Sequence, residues 1–193
     1  MKLICLGDSL TYGLGTPVED CWVELINREC GWDVVNKGVS GDTSGGMLAR
    51  FDRDVLGAGG DGVLLMGGSN DFIMGCEPSI VKANIMALVH QARACKLKVL
   101  ICAEPAGDTA HIRSDWQGLT DFFEVDRKLA QMSAWLGDFC TVFRIPFIGL
   151  HDRFGAVVAG HESEYFFDGV HPNRRGHRLM ADIILESEAF LRL

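Results

Sequence analysis

Ser9 follows an aspartate at the end of a short apolar run, and Asp168 and His171 stand three residues apart near the other end of the chain. A serine hydroxyl is a weak nucleophile until an imidazole accepts its proton, and the imidazole needs a carboxylate to fix its tautomer and stabilise its cationic form. The three-residue spacing lets the Asp168 carboxylate reach a ring nitrogen of His171 within one turn of chain. Gly41 offers a backbone N–H with no side chain in the way, and Asn70 a side-chain NH₂. With the Ser9 N–H these are three donors for the oxyanion of a tetrahedral intermediate.

Such residues are useful only if the fold brings them together. Short apolar runs at Lys2–Leu6, Trp32–Asn36, Gly62–Met66, Lys98–Cys102 and Pro146–Leu150 predict five strands. Amphipathic segments near Cys21–Cys30, Thr43–Val55, Ser79–Cys95, Thr120–Phe139 and Asn173–Leu191 predict the helices between and after them. This alternation is the pattern of repeated βα units around a parallel sheet. We expect one flavodoxin-like, three-layer α/β/α domain over residues 1–193, with strand order 2-1-3-4-5. Polar clusters follow each of the first three strands: Gly7-Asp8-Ser9-Leu10, Gly38-Val39-Ser40-Gly41-Asp42 and Gly67-Gly68-Ser69-Asn70-Asp71. With strands about 5 Å apart, that order lets Ser9, Gly41 and Asn70 converge in the crevice at the carboxyl edge of the sheet. The segment Asp168-Gly169-Val170-His171-Pro172 precedes the last helix and can reach the same edge.

Four blocks in this order, spanning Gly7 to His171, resemble those of the GDSL, or SGNH, hydrolases. They are Gly-Asp-Ser-Leu, a glycine after the second strand, Gly-x-Asn-Asp written here Gly68-Ser69-Asn70-Asp71, and Asp-x-x-His. The resemblance implies a three-layer α/β/α fold, no metal or organic cofactor, and hydrolysis of esters or thioesters through an acyl-serine. On it Ser9, Gly41, Asn70 and His171 take the four block roles and Asp168 is the triad acid. The compact bacterial acylhydrolases that act as arylesterase, thioesterase or lysophospholipase are the nearest branch. A carbohydrate O-acetylesterase would use the same blocks, and a catalytically silent binding module on the same fold is the reading from another class. Thr11, two residues after Ser9, breaks the Gly-x-Ser-x-Gly pattern and disfavours the wider α/β-hydrolase fold.

Other features narrow the field. Lys and Arg number 18 against 26 Asp and Glu, a net charge of −8, which argues against nucleic-acid or anionic-membrane partners. No apolar run reaches membrane-span length, and the N-terminus lacks the order of a signal peptide, so a cytoplasmic protein without stable membrane insertion is expected. The 7 cysteines are odd in number without C-x-x-C spacing, which indicates neither a disulfide framework nor a zinc site. Gly57–Gly62 precedes a strand where a dinucleotide motif must follow one. The remaining histidines lack ligand spacing, and Asp42 and Asp71 read as loop-stabilising groups. Phe72, Ile73 and Met74 could line an acyl pocket, although core packing accounts for them equally well. Glu104–Gly118 is long and polar enough to form a lid or pocket wall, or simply a structural loop.

Overall fold

The computed structural model describes all 193 residues. Five parallel strands, β1 (Lys2–Gly7), β2 (Asp33–Gly38), β3 (Gly62–Met66), β4 (Lys98–Cys102) and β5 (Phe147–Ile148), are arranged 2-1-3-4-5, the expected order. Their apolar residues alternate between two cores, as the two-residue period of a strand requires. Leu3, Cys5, Leu64, Met66, Leu100 and Cys102 face one core. Ile4, Leu6, Val63, Leu65, Val99 and Ile101 face the other. Because both faces are covered, β3 reads as an unbroken apolar run.

The first core is closed by α2 (Trp22–Glu29), α7 (Leu150–Val158), α8 (Arg174–Leu185) and the short α9 (Glu188–Leu191). The second is closed by α3 (Ser44–Ala49), α5 (Pro78–Ala94) and α6 (Phe122–Phe143). Two very short helices, α1 (Ser9–Tyr12) and α4 (Ser69–Ile73), begin where β1 and β3 end. No helix is long and apolar enough to cross a membrane.

Three expected elements come out differently. The fifth strand keeps only Phe147 and Ile148, because Leu150 already opens α7. Leu150, Phe154 and Val158, at four-residue steps and buried, were the signal of that helix. The Thr43–Val55 helix stops at Ala49, and a π-helical turn follows at Asp52–Leu56. The final helix breaks before Ser187, whose hydroxyl donates back to the Ile184 carbonyl (2.7 Å) and accepts from Phe190 N–H (3.2 Å). A serine that both ends one helix and caps the next satisfies groups a continuous helix would have paired internally.

The sheet register sets the level of the site. Gly7 of β1 pairs with Gly38 of β2 on one side and Met66 of β3 on the other, so the three strands end together. Added methyl groups at these glycines would collide, at Gly7 with the Met66 carbonyl and the Thr11 side chain, and at Gly38 with the Tyr12 backbone. Glycine thus lets α1 lie directly over the ends of β1 and β2.

Arg50 ties these ends together from the α3 side. Its Nη2 donates to the Gly7 carbonyl (2.7 Å), its Nη1 to the Lys37 carbonyl and Asp54 (2.8 Å each), and its Nε to Asp42 (2.6 Å). The guanidinium is buried, as are Gly7 and Asp54, while Asp42 and Lys37 are partly exposed. Replacing it by Met would take a donor from two carboxylates and two carbonyls, although Asp54 would keep Arg53, Asp42 the Thr43 N–H and the Gly7 carbonyl the Val39 N–H. Arg50→Met should therefore lower unfolding free energy by about 2–3 kcal/mol in urea titration, and a loss under about 1 kcal/mol would show that the network does not hold the strand ends.

His177 of α8 is fully buried, and its Nδ1 accepts from Trp22 N–H (3.4 Å). Burial, with the nearby His171 charge adding, pushes its pKa down to about 4. Between about pH 6.5 and 4 the unfolded chain binds a proton that the native protein refuses. Stability should accordingly fall on acidification across that window, by an amount on the order of 3 kcal/mol from this residue. Urea titrations from pH 7 to 4.5 on wild type and His177→Gln check this; the variant should have the shallower slope, and equal slopes would refute it.

Candidate active site

Ser9 is the first residue of α1, and Asp8 caps that helix by accepting from Leu10 N–H (2.9 Å). The Ser9 Oγ lies 2.8 Å from His171 Nε2, and His171 Nδ1 lies 2.8 Å from Asp168 Oδ2. Asp168 Oδ1 also accepts from the backbone N–H groups of His171 (2.8 Å) and Val170 (3.1 Å). A single three-residue turn thus both orients the carboxylate and aims the ring. Burial acts to raise the Asp168 pKa, but the hydrogen bonds from His171 outweigh it and hold the carboxyl below its ordinary value. All three side chains are buried.

The turn is built around Gly169, whose φ of +90° lies in the left-handed region. A Cβ there would meet Asp108 O, His111 O and Ile112 Cα, each at 2.9 Å. The Glu104–Gly118 segment is indeed pressed against this turn, as a wall of the site. Asp108 N–H donates to the Gly169 carbonyl (2.8 Å) and Arg113 N–H to the Asp168 carbonyl (3.0 Å). Trp116 meets the His171 ring edge-on, with centroids 5.6 Å apart, and the Arg113 guanidinium covers the indole at 4.9 Å.

The other expected groups gather around Ser9. Asn70 Nδ2 donates to the Asp42 carbonyl (2.9 Å), next to Gly41, and to Asp8 Oδ2 (3.2 Å), next to Ser9. Its amide therefore lies between the two loops that carry the other candidate donors. Gly41 has φ +79° and is exposed, with open space where a Cβ would stand. Glycine is needed there for the backbone turn more than for clearance. The N–H groups of Ser9 and Gly41 donate to no acceptor within the chain. Asp71 supports the neighbouring loop and not its own, accepting from the Ser44 hydroxyl (2.6 Å) and Ser44 N–H (2.8 Å). Asp42 binds Arg50 and Thr43 N–H, a loop-holding role as expected.

An apolar pocket of about 30 Å³ is lined by Leu10 and Val170, the chain neighbours of Ser9 and His171, and by Ile73, Ile112, Phe122, Val125 and Leu129 among others. Of Phe72, Ile73 and Met74, the residues expected at an acyl pocket, only Ile73 lines this one. Phe72 is buried in the second core, and Met74 is 75% exposed. The reason is helical: successive side chains of α4 turn by about 100°, so three consecutive residues cannot share a wall. Sequence reasoning also missed Leu10, although its place next to Ser9 on a helical turn was a usable signal. It missed Glu104 as well, which meets Ser69 and Asp8 under the site.

Comparison with known proteins identifies the family. The model of the GDSL-like Lipase/Acylhydrolase family matches residues 5–179. Esterase TesA of Pseudomonas aeruginosa is 35% identical over 104 residues, 51% of this chain and 52% of that protein. An arylesterase of Vibrio mimicus is 37% identical over 93 residues, 46% of each chain. The chain thus spans about half the length of these curated relatives in alignment. A solved member of the lipolytic G-D-S-L family from Veillonella parvula is 30% identical and superposes over 100% of both chains with a TM-score of 0.77. A match that runs from β1 into α8, with likeness over the whole fold, places this chain in the GDSL-like lipase/acylhydrolase family.

Proposed function

We propose that this protein hydrolyses carboxylic esters or thioesters through an acyl-Ser9 intermediate, with residues 1–193 acting as one catalytic domain. The observation that carries the reading is the continuous Ser9–His171–Asp168 relay, with both hydrogen bonds at 2.8 Å. His171 Nε2 takes the Ser9 proton as Oγ attacks the acyl carbon, while Asp168 holds the other ring nitrogen and stabilises the imidazolium. The oxyanion develops toward Ser9 N–H, Gly41 N–H and the Asn70 amide. The first two already have free donors, and Asn70, held in place by Asp42 and Asp8, shares the hydrogen of its longer bond, the one to Asp8, with the new charge. Collapse of the tetrahedral adduct passes the His171 proton to the departing alcohol or thiol. A water then repeats the sequence on the acyl-serine, giving the acid and restoring Ser9.

The small pocket supports a short acyl group. At roughly 10–15 Å³ per water, a cavity of about 30 Å³ holds about two waters, the bulk of an acetyl or slightly longer tail. The same size favours a second reading, the carbohydrate O-acetylesterase, in which only the leaving group differs. The odd cysteine count without paired spacing supports residence in a reducing compartment, the cytoplasm.

Ser9→Ala should abolish both ester turnover and covalent labelling by a fluorophosphonate. Asp168→Asn should fold normally but lose about 10⁴ in kcat, because the amide cannot stabilise the required tautomer and cation. Full turnover in Ser9→Ala would refute the relay assignment, and absence of labelling in wild type would favour a silent binding module.

Acyl length gives an independent check. Along a p-nitrophenyl ester series, kcat/KM should be highest for acetate to butyrate and fall by about tenfold or more by octanoate. Leu129→Ala, at the pocket wall, should move the optimum to longer chains; a flat series in wild type would exclude the pocket as the acyl site. Sugar acetates in the same panel separate the two leaving-group readings.

A further inference from the structure

Three neighbouring strands end on one buried polar spot that the relay does not use. Asp8 follows β1, Ser69 follows β3, and Glu104 lies just beyond β4; all three side chains are buried. The Ser69 hydroxyl is 3.1 Å from Asp8 Oδ2 and 3.1 Å from Glu104 Oε1, and Ser69 N–H donates to Glu104 Oε2 at 2.7 Å. A hydroxyl has one proton to give. If Ser69 gives it to either carboxyl, the other faces the hydroxyl oxygen lone pair to lone pair unless it brings a proton of its own.

The remaining donors decide which carboxyl is protonated. Asp8 Oδ1 accepts from Leu10 N–H, and Oδ2 accepts from the Asn70 amide as well. Glu104 Oε1 has no donor apart from Ser69. Asp8 and Glu104 are also hydrogen-bonded to each other, which needs one proton between them, and the remaining donors place it on Glu104: the neutral acid faces Ser69 Oγ and Asp8, while Asp8 stays the carboxylate. We propose that Glu104 is a positioning residue of the active site: held as a carboxylic acid, it fixes Asp8 through Ser69, and so fixes the Asn70 amide that Asp8 orients. The importance of Asn70 rests on the ester-hydrolase reading above, whereas the proton on Glu104 does not.

The electrostatics agree. Burial, reinforced by the Asp8 charge, pushes Glu104 far above the ordinary carboxylate range. Burial raises Asp8 too, while its hydrogen bonds and the His171 charge act to keep it ionised. The other titratable groups that act on the pair are His171, from the Asp168 turn, and Cys102, from β4. Only one carboxylate charge then lies behind the developing oxyanion, where two would oppose it.

Infrared difference spectra of wild type minus Glu104→Gln at neutral pH should show the carbonyl stretch of a protonated carboxylic acid, lost in the variant. Glu104→Ala should lower kcat by about tenfold or more with KM nearly unchanged, and Glu104→Gln should recover most of that loss, since a neutral amide can accept from Ser69 N–H and donate to its hydroxyl. The Asn70 side-chain amide resonances should shift in Glu104→Ala and return toward wild type in Glu104→Gln. Absence of the acid band, or a Glu104→Gln as impaired as Glu104→Ala, would overturn the proposal. If wild type hydrolysed no ester, the hydrolase reading alone would fail, and the infrared and amide signals would still decide the state and reach of Glu104.

Discussion

Everything at the site depends on three parallel strands ending at one level. Gly7, Gly38 and Met66 are in register, so the chain leaves β1, β2 and β3 within two strand spacings and with nowhere to go but over the sheet edge. Ser9, Gly41 and Asn70 are two, three and four residues beyond those ends, too few for the loops to wander. A slip of one residue in either pairing would send every side chain of a strand to the opposite face, into a core packed for other shapes, so the packing of the two cores protects the register of the site. Glycine at Gly7 and Gly38 completes the constraint, because any larger residue would lift α1 off the edge and move Ser9 with it.

Level strand ends also crowd polar groups into a place without water, and the structure answers with pairing. Asp42 and Asp54 share Arg50, which in turn satisfies the carbonyls of Gly7 and Lys37. Asp71 takes Ser44 of the α3 entrance. Asp8 takes Leu10, Ser69 and Asn70. Asp8, Asp42 and Asp71 thus each bond a group from another loop or helix. These are the contacts that hold irregular backbone in position when helices and strands have already ended, and losing one partner costs far more than a surface pair would.

Much of this was legible in the sequence because the signals were local. β3 and β4 were read to the residue, their apolar runs being bounded by Gly, Gly and Lys. Ser9, Asp168 and His171 stood out because their types are scarce in such runs and their spacing is short. What failed to appear depends on direction or distance. Phe72, Ile73 and Met74 look alike in sequence, but a helical turn sends one to the core, one to the pocket and one to solvent. Glu104 sits 35 residues from Ser69, and a lone carboxylate after a strand carries no mark of a partner that only the sheet order supplies. The break at Ser187 likewise lies inside an apolar pattern that a continuous helix would have satisfied.

The two halves of the site are held in different ways, and this bears on which can move. Ser9, Gly41 and Asn70 hang from the sheet, and shifting any of them means disturbing strand ends locked by two cores and Arg50. His171 and Asp168 belong to a turn fixed on one side by α8, whose cap Asn173 accepts from Arg175 and Gly176 N–H. On the other side the turn is held by the Asp108–Trp116 wall, through two backbone hydrogen bonds and one aromatic edge. That wall also supplies Ile112 to the pocket. A displacement of the 104–118 segment would therefore widen this pocket and loosen the His171 turn together, while leaving Ser9, Gly41 and Asn70 where the sheet puts them. On the proposed ester-hydrolase reading, adaptation to a new acyl group through this segment is consequently coupled to proton transfer by His171, and not to the oxyanion donors alone.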